Sequence, residues 1–526
     1  MLLGDEAIAQ AALDSGISGI YAYPGTPSTE ITEYVQASPL ARERKIHSDW
    51  SVNEKTAMET ALGMSYAGKR AMVCMKHVGL NVAADAFINS ALTGVNGGLV
   101  VVVADDPSMH SSQNEQDSRF YGKFAMLPIF EPSNQQQAYD MTREAFVMSE
   151  KYSIPVLLRI TTRLAHSRAG IIRANELLQN LLKLPDDPRQ FILLPAIARV
   201  RYKNLLALQD DFANDSENSE FNCLTVGNSE KIAIITTGIA WNYLKECFSE
   251  EQIPYPVLKI GQYPFPVQKV KKLMSGCKEV FLFEEGYPFV EEMIKGLNEQ
   301  SVVIHGRLDG TLPKDGELNP DLVANALGFK TETYYEVPRT LATRPPVLCN
   351  GCAHVDLYYA LNEAMSVYGK GKVFSDIGCY TLGALPPFEA IFSCVDMGAS
   401  VTMAKGAADA GLFPSACVIG DSTFTHSGIT GLLDAVNENS AVTVIISDNS
   451  TTGMTGGQKS AATGKLENIC IGIGVEPDHL RMLSPLKKNM EENVKIIREE
   501  LEYKGVSVII SQRECIQTAA RRHRNN

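Results

Sequence analysis

Long apolar runs alternate with helix-period stretches along most of the chain. Residues 99–105 read Leu-Val-Val-Val-Val-Ala-Asp, apolar without a break up to one acid. A strand with water on one face alternates apolar and polar positions. A run without alternation is covered on both faces, the condition of a parallel strand in an α/β sheet. AMVCMK (71–76), ACVIGD (416–421), VTVIISD (442–448) and VSVIIS (506–511) repeat the pattern. Helical periods lie between such runs. One covers 5–15 and ends at Gly16, a C-cap glycine. A second runs from Asn53 or Glu54 to Tyr66, and a third lies near 81–91. Thr26-Pro27 reads as an N-cap followed by proline at the first helical position.

The alternation divides the chain into three α/β units, each an open, doubly wound parallel sheet. Residues 1–165 make the first. Residues 166–226 are irregular, with the polar piece ANDSENSEFN (213–222) expected as a surface linker. Residues 227–335 make a smaller unit containing KIAIITTGIAW, FLFEEG and VVIHG. EVPRTLATRPP (336–346) connects it to the third unit, 336–526. The basic end, ECIQTAARRHRNN, is expected to fray.

Composition narrows the function. Of 526 residues, 45% are hydrophobic and 21% charged, as in ordinary globular proteins. A net charge of −13 argues against a nucleic-acid groove and against docking on an anionic membrane. No apolar run approaches the roughly 18 residues of a membrane span. The start, MLLGDEAIAQAALDSG, carries acids where a signal peptide carries bases, so a cytoplasmic protein is expected. In that compartment most of the 11 cysteines are expected to be reduced core thiols, with Cys349, Cys352 and Cys379 set closer to polar motif residues.

Candidate chemistry gathers where apolar runs stop. Gly420-Asp421-Ser422 closes one run and Asp448-Asn449 the next, with one helical stretch between them. Parallel sheets bind ligands beyond the carboxyl ends of their strands. A helix beginning at Ser427 or Gly428 would turn its amides toward an anion there. Asp421 and Asn449 are hard oxygen ligands suited to Mg²⁺ bridging a diphosphate. The glycines of SDNSTTGMTGG, Gly453 among them, let backbone approach a ligand.

This spacing resembles the thiamine diphosphate motif, GDG followed by about two dozen residues and NN. Ser422 stands at its third position and Asp448 at its first asparagine. The resemblance implies metal ligation by Asp421, Asn449 and the main chain of Thr451. It also implies a glutamate from a separate pyrimidine-binding domain, and Glu54 opens a helix in the first unit.

WSVNEKTAMETALGMSYAGKRAMVCMKHVGLNVAAD, GGLVVVVADDPSMHSSQNEQDSRFY, LCNGCAHVDLYYAL, SDIGCYTLGALPP and GDSTFTHSGITGL extend the likeness. Over nearly its whole length the chain resembles the large (alpha) subunit of indolepyruvate:ferredoxin oxidoreductases. That implies pyrimidine-binding, transketolase C-terminal-like and diphosphate-binding domains, in this order. It implies oxidative decarboxylation of an aryl 2-oxo acid with coenzyme A to an aryl-acetyl-CoA and CO2. The cofactors implied are thiamine diphosphate and Mg²⁺. Glu54 falls at the family's pyrimidine-contacting glutamate. Thr26, in the YPGTP turn, would contact the substrate carboxylate, with Arg119 as a further candidate. His77 and His110, in loops after strands, are candidate proton shuttles. Gly420, Ser422, Gly453, Asp376, Gly378 and Cys379 fall around the cofactor.

The family resemblance also implies a ferredoxin-like tail with two cysteine-rich runs that hold [4Fe–4S] clusters. The sequence ends at Asn526 with Cys515 alone near its end. Electrons are therefore expected to leave through a partner, ferredoxin or another electron carrier. Cys349, Cys352 and Cys379 resemble cluster ligands, with Cys394 or Cys515 as a fourth, but a cluster is expected on a partner rather than here. A homodimeric core and a smaller beta subunit resembling a gamma domain are expected. The rival readings are a non-oxidative thiamine-dependent decarboxylase and a non-catalytic scaffold.

Overall fold

A computed structural model describes residues 1–229, 231–248, 253–298, 302–329, 340–342 and 346–525. They form two compact units, Met1–Tyr335 and Glu336–Asn526. Of the 336–346 connector, residues 336–339 and 343–345 lie outside the described residues.

The first unit contains sheets of five and six strands and a two-stranded one that pairs Leu2–Leu3 with Arg168–Ala169. The six-stranded sheet orders Gln262–Tyr263, Ile129–Phe130, Val156–Thr161, Leu99–Asp105, Ala71–Lys76 and Gly19–Ala22. All neighbours are parallel except the first pair. Every residue of Leu99–Asp105 is buried, as its unbroken apolar run requires. Helices Gly4–Asp14, Glu54–Tyr66, His77–Thr93 and Gln135–Tyr152 belong to this layer. The five-stranded sheet orders Val303–His305, Glu279–Phe283, Ile232–Thr237, Val257–Ile260 and Cys223–Thr225, with only the last strand antiparallel.

Three expectations need correction here. The polar piece at 213–222 is not a loose linker, because helix Gln209–Asn218 buries Phe212 and Ser216. Asn222 is also buried, and its side chain binds backbone of Gly261 and Gln262. Thr26-Pro27 does not open a helix: the helix is Thr29–Ala37, with Ser28 at its N-cap. Hydroxyls fit either register, and Thr29 Oγ1 accepts from the Gly25 N–H instead. The third helix starts at His77, not near 81, so His77 opens a helix and does not lie in a loop.

The second unit is built on a five-stranded parallel sheet, ordered Val373–Ser375, Ser415–Gly420, Val442–Asp448, Val506–Gln512 and Leu480–Leu483, with a two-stranded antiparallel ribbon of Thr451–Thr452 and Gln458–Lys459. Alternate residues of the central strands feed two cores. Val418, Ile445 and Ile509 face one; Ile419, Ile446 and Ile510 face the other. This explains why those strands are apolar at every position. The basic end is not frayed over its first residues. Cys515 N–H donates to the Asn449 carbonyl at 3.1 Å, helix Ile516–Asn525 follows, and Arg521 reaches the Gly456 carbonyl. Among the described residues no helix is long and apolar enough to cross a membrane.

Candidate active site

In the second unit, Ser415–Gly420 and Val442–Asp448 pair in parallel, with Gly420 opposite Ser447. Asp421 and Asn449 therefore leave the same sheet edge from adjacent strands. Helical backbone begins at Asp421 itself, not at Ser427, and runs to Asn437 through a π-helical turn at Phe424–Gly428. Such π-turns concentrate at functional sites. Gly420 is required by Tyr380: a Cβ there would lie 2.5 Å from the ring. Gly378 packs against the same ring, where a Cβ would lie 2.2 Å away.

Asp421 is 2% exposed, and its Oδ2 has no hydrogen-bond partner. Burial raises its carboxyl to about 7, and the nearby Asp448 charge adds to the rise. A buried carboxylate oxygen without a partner fits a cation. Asp448, by contrast, is engaged: it accepts from the Ser450 N–H at 3.0 Å and from Gln512 at 2.9 Å. Asn449 Oδ1 accepts from the Thr451 N–H at 3.2 Å, and Thr451 Oγ1 donates to the Gln458 carbonyl at 3.0 Å. Ser422 Oγ lies 2.9 Å from Thr452 Oγ1.

Asp376 does not offer a free carboxylate to a cofactor. One oxygen accepts from Tyr380 OH; the other accepts from Gly398 N–H, Ser400 N–H and Ser400 Oγ. It holds the start of helix Ala399–Asp409 and the tyrosine under Gly420, a positioning role.

Next to this edge lies a cavity of about 220 Å³ lined by Cys349, Cys352, Cys379, Cys515, Asn449 and Gly453. Four cysteines from three separate segments thus face one space. Burial pushes the Cys379 thiol up to about 12, with Cys352, Cys515 and Cys349 adding to the rise. A Cβ on Gly453 would lie 3.1 Å from Cys379 Sγ. Cys394 is exposed and lies outside the cavity lining. His354 was missed from sequence. It lines the same cavity, is lowered to about 4 by burial, and meets Ser447 Oγ at 2.8 Å.

In the first unit, Glu54 opens helix Glu54–Tyr66 behind the Asn53 cap, which accepts from the Thr56 N–H at 2.8 Å. Glu54 is 5% exposed. Its carboxyl packs on Gly79, where a Cβ would lie 2.7 Å from Oε1. The Thr26 carbonyl accepts from Ser111 Oγ at 3.2 Å. Lys76, also missed, donates to the Ser111 carbonyl at 2.7 Å; burial lowers its ammonium to about 8. His77 is buried, with Nε2 3.2 Å from the Asn114 carbonyl and Nδ1 unpartnered. His110 is half exposed, 3.4 Å from Glu317.

Arg119 is not placed for a substrate carboxylate. It is fully buried and paired with Asp117, with Glu284 at 2.9 Å and with Glu131 at 3.7 Å. Its remaining N–H groups meet the Glu285 and Tyr287 carbonyls. Arg159 joins the same network through Asp105 and Glu131. A lone arginine in a polar loop carries no sequence mark of this burial.

Two family models match the chain, one in each unit. The family described as pyruvate flavodoxin/ferredoxin oxidoreductase, thiamine diphosphate-binding, matches residues 10–190. The C-terminal TPP-binding domain of thiamine pyrophosphate enzymes matches residues 376–510. The fold and site therefore define a thiamine diphosphate-dependent 2-oxo acid oxidoreductase subunit. Indolepyruvate oxidoreductase subunit IorA of Methanothermobacter marburgensis is 40% identical, covering 98% of this chain and 86% of the relative. Its counterpart in Archaeoglobus fulgidus is 39% identical over the same shares. That of Pyrococcus abyssi is 38% identical over 98% of this chain and 85% of the relative. The chain belongs to the family of indolepyruvate oxidoreductase alpha subunits, IorA.

Proposed function

We propose that this chain oxidatively decarboxylates aryl 2-oxo acids of the indolepyruvate type, with coenzyme A as acceptor, giving an aryl-acetyl-CoA and CO2. The observation that carries the reading is the buried, partnerless Asp421 oxygen at the strand edge shared with Asn449. Bound thiamine diphosphate supplies the electron sink for cleaving the bond to the carboxylate. Asp421, Asn449 and the Thr451 carbonyl would hold Mg²⁺ on its diphosphate. Glu54 would hold the proton at the pyrimidine N1′. Thr26 and the ammonium of Lys76 would orient the 2-oxo acid carboxylate. His77 or His110 would move protons near neutral pH. The domain division follows: 1–165 for the pyrimidine, 227–335 a small transketolase C-terminal-like domain, and 336–526 for the diphosphate.

The reaction releases two electrons, which must leave singly to reach a ferredoxin. Cys349, Cys352, Cys379 and Cys515 are the right residue type and number for a [4Fe–4S] cluster, which would supply that one-electron step. Their convergence on one cavity beside Asn449 supports a cluster in this chain rather than only on a partner. We place a smaller gamma-domain-like beta subunit and a second copy of the chain in the assembly. The 11 free cysteines fit a reducing cytoplasm.

The test is anaerobic assay of the complex with indolepyruvate, coenzyme A and a ferredoxin. Coenzyme A-dependent ferredoxin reduction supports the reading. Aldehyde release without coenzyme A or acceptor replaces it with a non-oxidative decarboxylase. Failure to bind thiamine diphosphate replaces it with a scaffold.

A further inference from the structure

A second partnerless carboxylate lies in the first unit. Asp5, in the first turn of helix Gly4–Asp14, is 0% exposed, and neither carboxylate oxygen has a hydrogen-bond partner. Burial and the Glu30 charge push the Asp5 carboxyl well above its usual range, and even the neutral acid finds no acceptor for its proton within hydrogen-bond distance. A buried group of this kind is costly unless something outside the chain satisfies it.

Two further ligand types face it. Glu30, in helix Thr29–Ala37, has a buried Oε2 without a partner. Its Oε1 lies 3.6 Å from Nε2 of His166, at the end of helix Thr162–His166. One ligand atom from each of the three residues lies within 4.8 Å of the others. The elements are held close: a Cβ on Gly4 would come within 2.2 Å of the Leu164 carbonyl. Glu30 follows strand Gly19–Ala22 and His166 follows Val156–Thr161, both on the carboxyl side of the sheet.

We propose that Asp5, Glu30 and His166 form a site for one divalent transition-metal ion of the zinc or manganese type. One imidazole and two carboxylates are the donor set such ions take, and two negative charges balance the ion. Mg²⁺ prefers all-oxygen shells and fits less well. The ion would give Asp5 its missing partner. It would also tie the helix after the Tyr23–Pro27 turn to the N-terminal helix. The site uses no residue of the Asp421–Asn449 edge.

The test uses the full chain with any co-purifying subunit, stripped by chelator and kept free of thiamine diphosphate. Co²⁺ is the spectroscopic probe and Zn²⁺ is counted by elemental analysis. The expected result, in a Cys352→Ala background that disables the cysteine cavity as a second Co²⁺ site, is about one equivalent of Co²⁺ with d–d bands and no thiolate charge-transfer, raising the melting temperature. Asp5→Asn and His166→Gln should each lose this equivalent, while Asp421→Asn keeps it. His166 is partly exposed, so His166→Gln guards against a folding defect in Asp5→Asn. Absence of the equivalent from the Cys352→Ala chain overturns the proposal. So does undiminished binding in both variants, or Co²⁺ bound only with thiolate bands.

Discussion

The backbone N–H of Cys515 donates to the carbonyl of Asn449 at 3.1 Å. This bond fastens the last described helix onto the proposed metal-ligand loop and brings Cys515 into the cavity with Cys349, Cys352 and Cys379. If those four hold a cluster, anaerobically purified chain carries about four irons and an iron–sulfur charge-transfer spectrum. Cys352→Ala should lose most of that iron, and Cys394→Ala should keep it. Iron-free chain, with the iron found on the partner subunit, would return the cluster to the partner.

Asp421 gives a pH signature in metal-free chain. Its carboxyl is raised to about 7 in the folded state from an ordinary value near 3.8. A raised carboxyl favours folding fully below the unfolded value, and that contribution is lost as pH rises through about 7. Asp421→Asn should therefore stabilise the metal-free chain most at pH 8, with an upper bound of about 4 kcal/mol, and progressively less below pH 7. Mg²⁺–thiamine diphosphate binding should disappear in the same variant. In the unsubstituted chain it should weaken as pH falls below 7, because the proton competes with the metal. Denaturant titrations and calorimetry at pH 6 and 8.5 decide this. Retained stoichiometric binding in Asp421→Asn sinks the assignment.

Glu54→Gln separates proton contact from binding. The amide keeps the side chain's shape against Gly79 but cannot exchange a proton in the same way. The expected outcome is a loss of about 10²–10⁴-fold in kcat with thiamine diphosphate affinity changed only a few-fold. Full activity in Glu54→Gln would move the role to another residue.

Regular elements were legible because their signals are local. VTVIISD runs from 442 to 448 in both sequence and structure, and the Asn53 cap marks the helix at Glu54. The pairing of Asp421 with Asn449 was legible because both end neighbouring apolar runs. Convergence from distant segments was legible only through the family resemblance, which grouped Cys349, Cys352 and Cys379 and left the fourth open between Cys394 and Cys515. No spacing rule joins Asp5 to His166. Helix starts failed where hydroxyls were plentiful, as at Thr26, Ser28 and Thr29, since each could cap. The polar stretch at 213–222 misled because its burial rests on a few scattered anchors, Ser216, Phe221 and Asn222, rather than on a periodic face.

Arg119 tests whether burial or motif position decides a residue's role. Its guanidinium bridges Asp117, Glu131 and Glu284, so it links the loop after Leu99–Asp105 to the strand end at Phe283. Burial works against the charge, yet the three carboxylates hold its ionisation well above the usual arginine range. Removing one partner of a buried ion pair leaves the others uncompensated, at a cost of about 3–5 kcal/mol. Arg119→Leu should therefore lower the denaturant midpoint sharply. Whatever folded enzyme remains should keep its KM for the 2-oxo acid. Arg119→Lys should recover only part of the loss, since an ammonium cannot reproduce the planar fork. Stability unchanged with KM raised at least tenfold would instead restore the substrate-carboxylate role.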